Sequence, residues 1–346
     1  MKNLYTLLSG LTFVFLLSFN SLFAQSPTVS VVESYDPDGT KIVGETVVVT
    51  VVFSESVTVT GIPTLTLETG LSDTTVSYTD GSPGTQLNFT YTVEEGNTTA
   101  GANLDYVSTG ALALTGSATI KATEAPSEDA TLTLASPGAS NSLSDNNSFV
   151  IEGISPVISS VSPSTNSTVK NANVGYTLSE AIASGTVKYT QTGGTTDDDS
   201  PHTANLAGSE LNAGTFSSAA LTDAPTLADG AIYSIAFNAT DAAGNTATAV
   251  TLTGVTFDTT TPVISSVSPS TNSSVKNANV GYALSEAIAS GTVTYTRTGG
   301  TADGSSPHTS NLAGSELNAG TRSSAALTNA PTLADGAIYS IAFNAT

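Results

Sequence analysis

The chain contains no cysteine and no tryptophan, and it has two histidines among its 346 residues. Without cysteine the fold cannot depend on disulfide bonds, so each folding unit has to bury enough apolar surface to be stable alone. A unit of roughly 100 residues is large enough to do this. Thiol catalysis is excluded, because it needs a cysteine side chain.

Basic residues are scarce as well. Eight Lys and Arg stand against 29 Asp and Glu, which gives a formal net charge of −21. Phosphate binding depends on clustered Lys and Arg, so nucleic acid is not an expected partner. The same sign of charge argues against docking on anionic membranes. The acidic excess fits a solvated extracellular surface or sites for divalent cations.

Residues 1–24 differ from the rest of the chain. They carry Lys2, an apolar run at 11–17 and a closing Leu-Phe-Ala at 22–24. This is the pattern of a secretory signal peptide, and the run is too short and interrupted to span about 30 Å of hydrocarbon. We expect a secreted or cell-surface protein whose mature chain is not inserted in a membrane.

A long internal repeat organises the remainder. Residues 156–240 recur at 262–346 with about ten differences over 85 aligned positions and no insertion or deletion. A repeat of this length indicates tandem domains and not a solenoid. We expect domains at 25–153, 154–260 and 261–346. The last is incomplete, because it lacks a counterpart of 241–257, and we interpret the chain as a fragment of a longer product.

Alternation of apolar and polar residues predicts strands almost throughout. The apolar members of three such runs are Leu87, Phe89, Tyr91 and Val93; Val174, Tyr176 and Leu178; and Tyr233, Ile235, Phe237 and Ala239. A period of two is typical of half-buried antiparallel strands. With frequent Asp-Gly and Gly-Asn turn signals, the sequence predicts an all-β fold of tandem antiparallel β-sandwiches.

Several motifs resemble bacterial Ig-like repeats. The first is Phe-Ser-Glu-Ser-Val at 53–57, which has counterparts at 178–182 and 284–288, and each of the three ends a strand-like run. The others are Gly-Ile-Pro-Thr-Leu-Thr-Leu at 61–67, Asp-Ala-Ala-Gly-Asn at 241–245 and Phe-Asp-Thr-Thr-Thr-Pro at 257–262. Such modules occur in large surface and adhesin-like proteins. The resemblance implies tandem Ig-like sandwiches that form a non-catalytic structural or adhesive stalk, with an unknown extracellular protein or glycan as partner.

A second interpretation remains open. The modules could be accessory, including carbohydrate-binding, parts of a secreted hydrolase whose catalytic domain lies beyond residue 346. Glycan-binding faces usually present exposed aromatic side chains, and only 6% of this chain is aromatic. That composition counts against glycan binding without excluding it.

No constellation in the sequence predicts an enzyme. Catalysis needs an activated nucleophile, an acid/base pair or an open metal site. His202 and His308 are repeat copies of each other, and each follows a proline in a Gly/Asp/Ser-rich loop. We interpret both as structural or solvent-exposed.

Calcium is the one candidate cofactor, because it prefers carboxylate and carbonyl oxygens. Glu152 and Asp258 stand four residues before the prolines that open the two repeats, so both linkers place a carboxylate at the same point. Asp241 and Asn245 could lie near Asp258 and complete a site. The alternative is an Asx-type turn in which Asn245 takes a left-handed conformation.

Two further acidic clusters are weaker candidates. Glu33, Asp36 and Asp38 lack the spacing of the 12-residue calcium loop, and turn chemistry explains them better. The acidic run at 197–199 becomes Asp-Gly-Ser at 303–305 in the second copy. We therefore interpret it as a solvated loop.

Overall fold

The protein is described here by a computed structural model that covers residues 26–125 and 127–346. The predicted leader lies outside these residues. Within them the regular secondary structure is almost entirely strand, and the buried apolar side chains form three separate hydrophobic cores. We call the parts of the chain around these cores the first (26–153), second (154–260) and third (261–346) units. No helix in the described residues is long and apolar enough to cross a membrane.

The first unit contains nine strands and one short helix. They are β1 Val29–Glu33, β2 Gly39–Lys41, β3 Thr46–Thr60, β4 Thr64–Leu67, β5 Thr74–Asp80, β6 Gly84–Thr92, β7 Leu112–Ala113, β8 Thr119–Ala122, α1 Leu143–Asn146 and β9 Phe149–Ile151. The main sheet has the order β1-β3-β6-β5-β4-β7, with β8 also paired to β3, while β2 and β9 form a parallel pair. The predicted alternation on β6 is confirmed, because Leu87, Phe89 and Tyr91 are fully buried.

Strand β3 differs from the sequence prediction. The motif at 53–57 was expected to end a strand, but β3 continues through it to Thr60. It pairs with β6 from Thr46 to Val52 and, after a register shift, again at Val57, and β8 pairs with it from Val57 to Thr60. The added pairing with β8 keeps the backbone hydrogen-bonded, so the strand continues.

The second unit is a sandwich of two sheets. Its strands are β10 Ile158–Ser162, β11 Thr168–Val169, β12 Val174–Leu178, β13 Ser184–Gly194, β14 His202–Asn205, β15 Gly214–Ala219, β16 Ala231–Thr240 and β17 Val250–Phe257. One sheet has the order β10-β12-β15 and the other β11-β17-β16-β13-β14. The central strand β16 buries Tyr233, Ile235 and Phe237 at 1–2% exposure, as its alternation predicts.

The third unit repeats this architecture with fewer strands. They are β18 Ile264–Ser268, β19 Val280–Leu284, β20 Gly291–Gly300, β21 His308–Asn311, β22 Gly320–Ala325 and β23 Ala337–Ala345. The sheets have the orders β18-β19-β22 and β21-β20-β23. Strand β23 corresponds to β16 but forms an edge of its sheet in the described residues, because no counterpart of β17 pairs with it.

Candidate functional site

The loop at 241–245 connects the end of β16 to the segment that leads into β17. The Asp241 Oδ1 atom accepts hydrogen bonds from the backbone N–H groups of Gly244 at 2.6 Å and Asn245 at 2.9 Å. The Asp241 N–H in turn donates to the Asn245 carbonyl at 3.0 Å. The Asp241 side chain therefore stabilises a turn, as the alternative to calcium binding predicts, but its bonds reach three and four residues along the chain and not two as in an Asx turn. The positive φ of 113° belongs to Gly244 and not to Asn245. Glycine has no Cβ and tolerates that conformation at low cost.

The side chain of Asn245 crosses from the second unit into the first. Its Nδ2 donates to the Glu152 carbonyl at 2.9 Å, to the Glu152 carboxylate, and to Asp241 Oδ2 at 2.9 Å. Its Oδ1 accepts from the Val43 N–H at 3.1 Å. Asn245 is 3% exposed, so these bonds are shielded from water. We call the set Val43, Glu152, Asp241 and Asn245 the first joint.

Carboxylates surround this joint and shift each other's titration. Burial, followed by the contact with Asp241, raises the pKa of Glu152 above its ordinary value. Burial and then the charges of Asp241 and Glu95 raise the pKa of Glu180. Burial opposes ionisation of Asp241 too, but hydrogen bonds from Asn245 and Gly244 outweigh it and lower the pKa of Asp241. Asp241 therefore keeps its negative charge to a lower pH than Glu152 or Glu180.

Asp258 lies elsewhere, so its predicted partnership with Asp241 and Asn245 is wrong. The Asp258 N–H donates to the Val169 carbonyl at 2.9 Å, and its Oδ1 accepts from the Thr260 N–H at 3.0 Å. These contacts lie at the Ala231 end of β16, whereas Asp241 follows the opposite end. A ten-residue strand is about 30 Å long, which separates the two carboxylates by nearly a whole unit.

Glu152 and Asp258 are equivalent positions at two different joints, as their place in the two linkers predicts. Around Asp258 there is a cavity of about 820 Å³ between the second and third units. Its lining includes Lys170, Asn171, Glu286 and Thr346. We call this region the second joint.

The calcium site stays a prediction. In the part of the chain that the structure describes, no group of three or more His, Asp or Glu side chains is arranged to hold a metal ion. The weaker acidic cluster in the first unit binds backbone donors instead. The Val48 N–H donates to Asp36 at 2.7 Å, and the Ser148 N–H donates to Asp38 at 2.9 Å.

A side-chain network that the sequence analysis missed lies in the loop after β13. Asp197 Oδ2 accepts from the Tyr233 hydroxyl at 2.5 Å and lies 2.7 Å from His202 Nε2. The Tyr233 hydroxyl also accepts from the Ala228 N–H at 3.0 Å. The Asp197 side chain is 7% exposed, so the interpretation of a solvated loop is wrong at this residue. A signal for this network was present in the sequence. Both copies of the repeat keep the Asp, the His and the Tyr, whereas the two aspartates after Asp197 are replaced in the second copy.

The same network recurs in the third unit around Asp303. Hydrogen bonds from Tyr339 and then His308 lower the pKa of Asp303 to about 2. The Tyr339 hydroxyl lies 2.5 Å and His308 Nε2 2.7 Å from Asp303 Oδ2. In both units the histidine therefore has a structural role that ties a loop to the sheet.

Glu210 is a second buried carboxylate that sequence reasoning missed. It lies in the short 3-10 helix Gly208–Leu211 and is 3% exposed. Its carboxylate accepts from the Ala207 N–H at 2.8 Å and from the Thr222 N–H and hydroxyl at 2.6 and 2.9 Å. Glu316 makes the same three contacts in the third unit, with Arg322 added at 3.2 Å. These carboxylates bind backbone donors and so hold two loops of each sandwich together.

Comparison with known proteins gives distant structural matches. No family model matches the chain, and no curated protein matches it. The FN1–FN3 domains of chicken CNTN1 match with 10% identity and a TM-score of 0.28, over 92% of this chain and 93% of that one. Dimeric latent PorU from Porphyromonas gingivalis matches with 12% identity and a TM-score of 0.21, over 85% of this chain and 30% of that one. Such TM-scores are too low to carry an argument, and the assignment of tandem β-sandwiches rests on the strand pairing described above.

Proposed function

We propose that this protein is a non-catalytic array of Ig-like modules on the outside of the cell, and that it acts as a structural or adhesive stalk. The proposal places the module borders after residues 153 and 260. It takes the chain as a variant of the bacterial Ig-like repeats that its motifs resemble, with an unidentified extracellular protein or glycan as partner.

One observation carries this proposal: the second unit contacts its neighbours at opposite ends. Asn245, beyond the C-terminal end of β16, binds Glu152 of the first unit. The chain leaves the second unit at the other end of β16, where the Gly230 N–H donates to the Phe257 carbonyl at 2.7 Å. Each module therefore adds the length of a strand, about 30 Å, to the distance between its neighbours. That is the arrangement a spacer needs.

The side-chain networks support a non-catalytic role. The carboxylate of Asp197 is occupied by Tyr233 and His202, and that of Glu210 by backbone and threonine donors. These bonds all lie within the protein, and they hold loops in place. The proposal also includes calcium binding at the first joint. The ligands would be Glu152, Asp241 and Asn245, and few of their oxygens are held in place for the ion in advance.

Export and surface exposure are tested together in cells that express the full chain with a C-terminal epitope tag. We expect the purified protein to begin at Gln25, and the tag to be removed when intact cells are treated with protease. A protein that begins at Met1 and stays protected inside the cell would contradict the proposal.

The accessory-module alternative has its own test. The same protein is incubated with insoluble polysaccharides such as cellulose, chitin and xylan, and the bound fraction is measured after washing. A stalk is expected to remain in the supernatant. Saturable retention on one polysaccharide, competed by its soluble oligosaccharides, would favour a carbohydrate-binding module.

A further inference from the structure

The main sheet of the first unit has a row of polar side chains on its outer face. Its core side is marked by a fully buried row that crosses β1, β3 and β6, formed by Val32, Val51 and Leu87. Successive residues of a strand point to opposite faces of the sheet. The neighbouring row therefore lies on the outer face, and its register partners on β1, β3, β6 and β5 are Glu33, Thr50, Asn88 and Asp80. We call these four residues the outer row.

Tyr35 is attached to this row by its hydroxyl group. The hydroxyl donates to Glu33 Oε1 at 2.7 Å and accepts from Gln86 Nε2 at 2.8 Å, so it is bonded to strands on either side of β3. Tyr35 is nevertheless 70% exposed, which makes it the most exposed aromatic residue in the described part of the chain. A ring held in place and open to solvent loses little freedom when a partner covers it, and tyrosine is enriched in protein interfaces for its mixed character.

The charge of this surface is not compensated within the first unit. Residues 26–153 contain sixteen Asp and Glu and two Lys. One lysine lies 5.6 Å from the centre of the Phe149 ring, and the other pairs with Asp129 at 2.7 Å. In the described residues neither lysine forms an ion pair with Glu33 or Asp80, so the outer row attracts cations from solution.

The two carboxylates stand at the two ends of the outer row. Glu33 on β1 and Asp80 on β5 are separated by three strand spacings, or about 14 Å. An extended peptide rises about 3.3 Å per residue and returns to the same side at every second residue. Residues four apart in such a peptide are therefore about 13 Å apart on one side, which matches the spacing of the carboxylates.

We propose that the outer row and Tyr35 form a docking surface for an extended segment of a basic protein that carries two arginines four residues apart. One guanidinium group stacks on Tyr35 and pairs with Glu33, and the other pairs with Asp80. Arginine suits both places, because its planar group stacks on aromatic rings and binds a carboxylate through two N–H groups. This names the chemistry of a protein partner and rests on the adhesive form of the proposed function. A stalk needs no such surface, so the two proposals fail separately.

The test is an NMR titration of the isotopically labelled chain 25–346 with two synthetic peptides. Acetyl-Gly-Arg-Ser-Thr-Ser-Arg-Gly-amide has its arginines four apart. Acetyl-Gly-Arg-Ser-Thr-Arg-Ser-Gly-amide has the same composition, but its arginines point to opposite sides of the extended chain. We expect the first peptide to shift the amide signals of residues 33–36 and 86–88 saturably. The second should bind about threefold more weakly, because it keeps one of the two ion pairs.

Three variants locate the site. Tyr35→Ala should weaken binding of the first peptide about threefold to fivefold, because the stacking contact is lost. Asp80→Asn should weaken it about twofold to threefold. Asp73→Asn is the matched control, since it removes the same charge just before the other end of β5 and should leave binding unchanged. An unchanged melting temperature of each variant checks that its fold is intact.

Each other outcome overturns the proposal. No binding of the first peptide, or equal binding of the two peptides, would mean that the surface does not select this spacing. Equal losses in Asp80→Asn and Asp73→Asn would show attraction by net charge alone. Undiminished binding to Tyr35→Ala would place the peptide elsewhere. If cello- or chito-oligosaccharides shift these amide signals and the peptides do not, the surface binds glycans and not a basic protein.

Discussion

At the scale of single residues, the unexpected feature is that carboxylates are structural parts of these sandwiches. In a chain with net charge −21, the sequence suggested that the acidic side chains are mostly solvated. Asp197, Glu210 and Asp241 instead each accept hydrogen bonds from several donors within the protein. Hydrogen bonds to a carboxylate are stronger than those between neutral groups, so a few buried acids can hold several loops.

Tyr233→Phe should loosen the loop that contains Asp197 and leave the sheet intact. The substitution removes the hydroxyl that bridges Asp197 and the Ala228 N–H, and a hydrogen bond to a charged group is stronger than one between neutral groups. We expect faster hydrogen exchange in the segment 195–204, measured by mass spectrometry. That segment differs in sequence from 301–310, so the two units are distinguishable.

Tyr339→Phe is the matched control for this prediction. It breaks the same bond in the third unit, where Tyr339 is partly buried and Tyr233 is 1% exposed. Its effect should be confined to 301–310 and be smaller than that of Tyr233→Phe. Unchanged exchange in both segments would mean that the Tyr–Asp bonds do not hold the loops.

The pKa of Asp303 gives a second test at this scale. It should titrate at about 2, because Tyr339 and His308 donate to its ionised form. A lowered pKa contributes stability that is present above the ordinary value of 3.8 and is lost as the pH falls toward 2. Carbon-13 NMR of the side-chain carboxyls should show this titration, and in Tyr339→Phe the pKa should return toward 3.8. An Asp303 that titrates at its ordinary value in both proteins would contradict the network.

At the scale of elements, the first joint should respond to pH through Glu152. Its raised pKa means that the charged form is unfavourable in the folded joint, so protonation stabilises the joint as the pH falls from 7 toward the acidic range. Asp241 has a lowered pKa and remains ionised over that range. The joint should be most stable between the raised pKa of Glu152 and the lowered pKa of Asp241.

Glu152→Gln should mimic the protonated form at all pH values. The variant is expected to melt at a higher temperature than the natural protein at pH 7 and to lose the gain seen on mild acidification. Asp258→Asn at the second joint is the control, because no turn packs against Asp258 in the described chain, and it should change little. Identical pH dependence in Glu152→Gln and the natural protein would show that Glu152 does not govern the joint.

Element by element, the sequence predicts what depends on local alternation and misses what depends on distant partners. Strands β6, β12 and β16 follow directly from their period of two. The continuation of β3 through residues 53–57 depends on β8, which is more than 60 residues away, and no local signal indicates it. The error over Asp258 has a simpler cause: β16 runs the length of the unit, so the turns before and after it lie at opposite ends.

The first joint was only partly predictable for the same reason. The equivalence of Glu152 and Asp258 in the two linkers is visible in the sequence, and so is the turn at 241–245. Their meeting across units depends on which end of the second sandwich faces the first. That orientation follows from the pairing of β13, β16 and β17 and not from any local pattern.

At the scale of the whole molecule, we propose that the chain is a line of modules that meet end to end. The internal repeat predicts separate modules, and the described residues have three separate cores. The third unit differs from the second mainly at β23, which pairs with β20 alone in the described residues. An array of this kind has a length set by the number of modules, and the proposed stalk function depends on that length.

Small-angle X-ray scattering of residues 25–346 tests this claim most directly. Three modules in line, each about one ten-residue strand long, give a maximum dimension of roughly 100 Å and a radius of gyration near 30 Å. A compact globule of the same length would have a radius of gyration of about 20 Å. The account predicts the larger value, with a distance distribution skewed toward long distances. A value near 20 Å would show that the modules fold back on one another and would contradict the stalk.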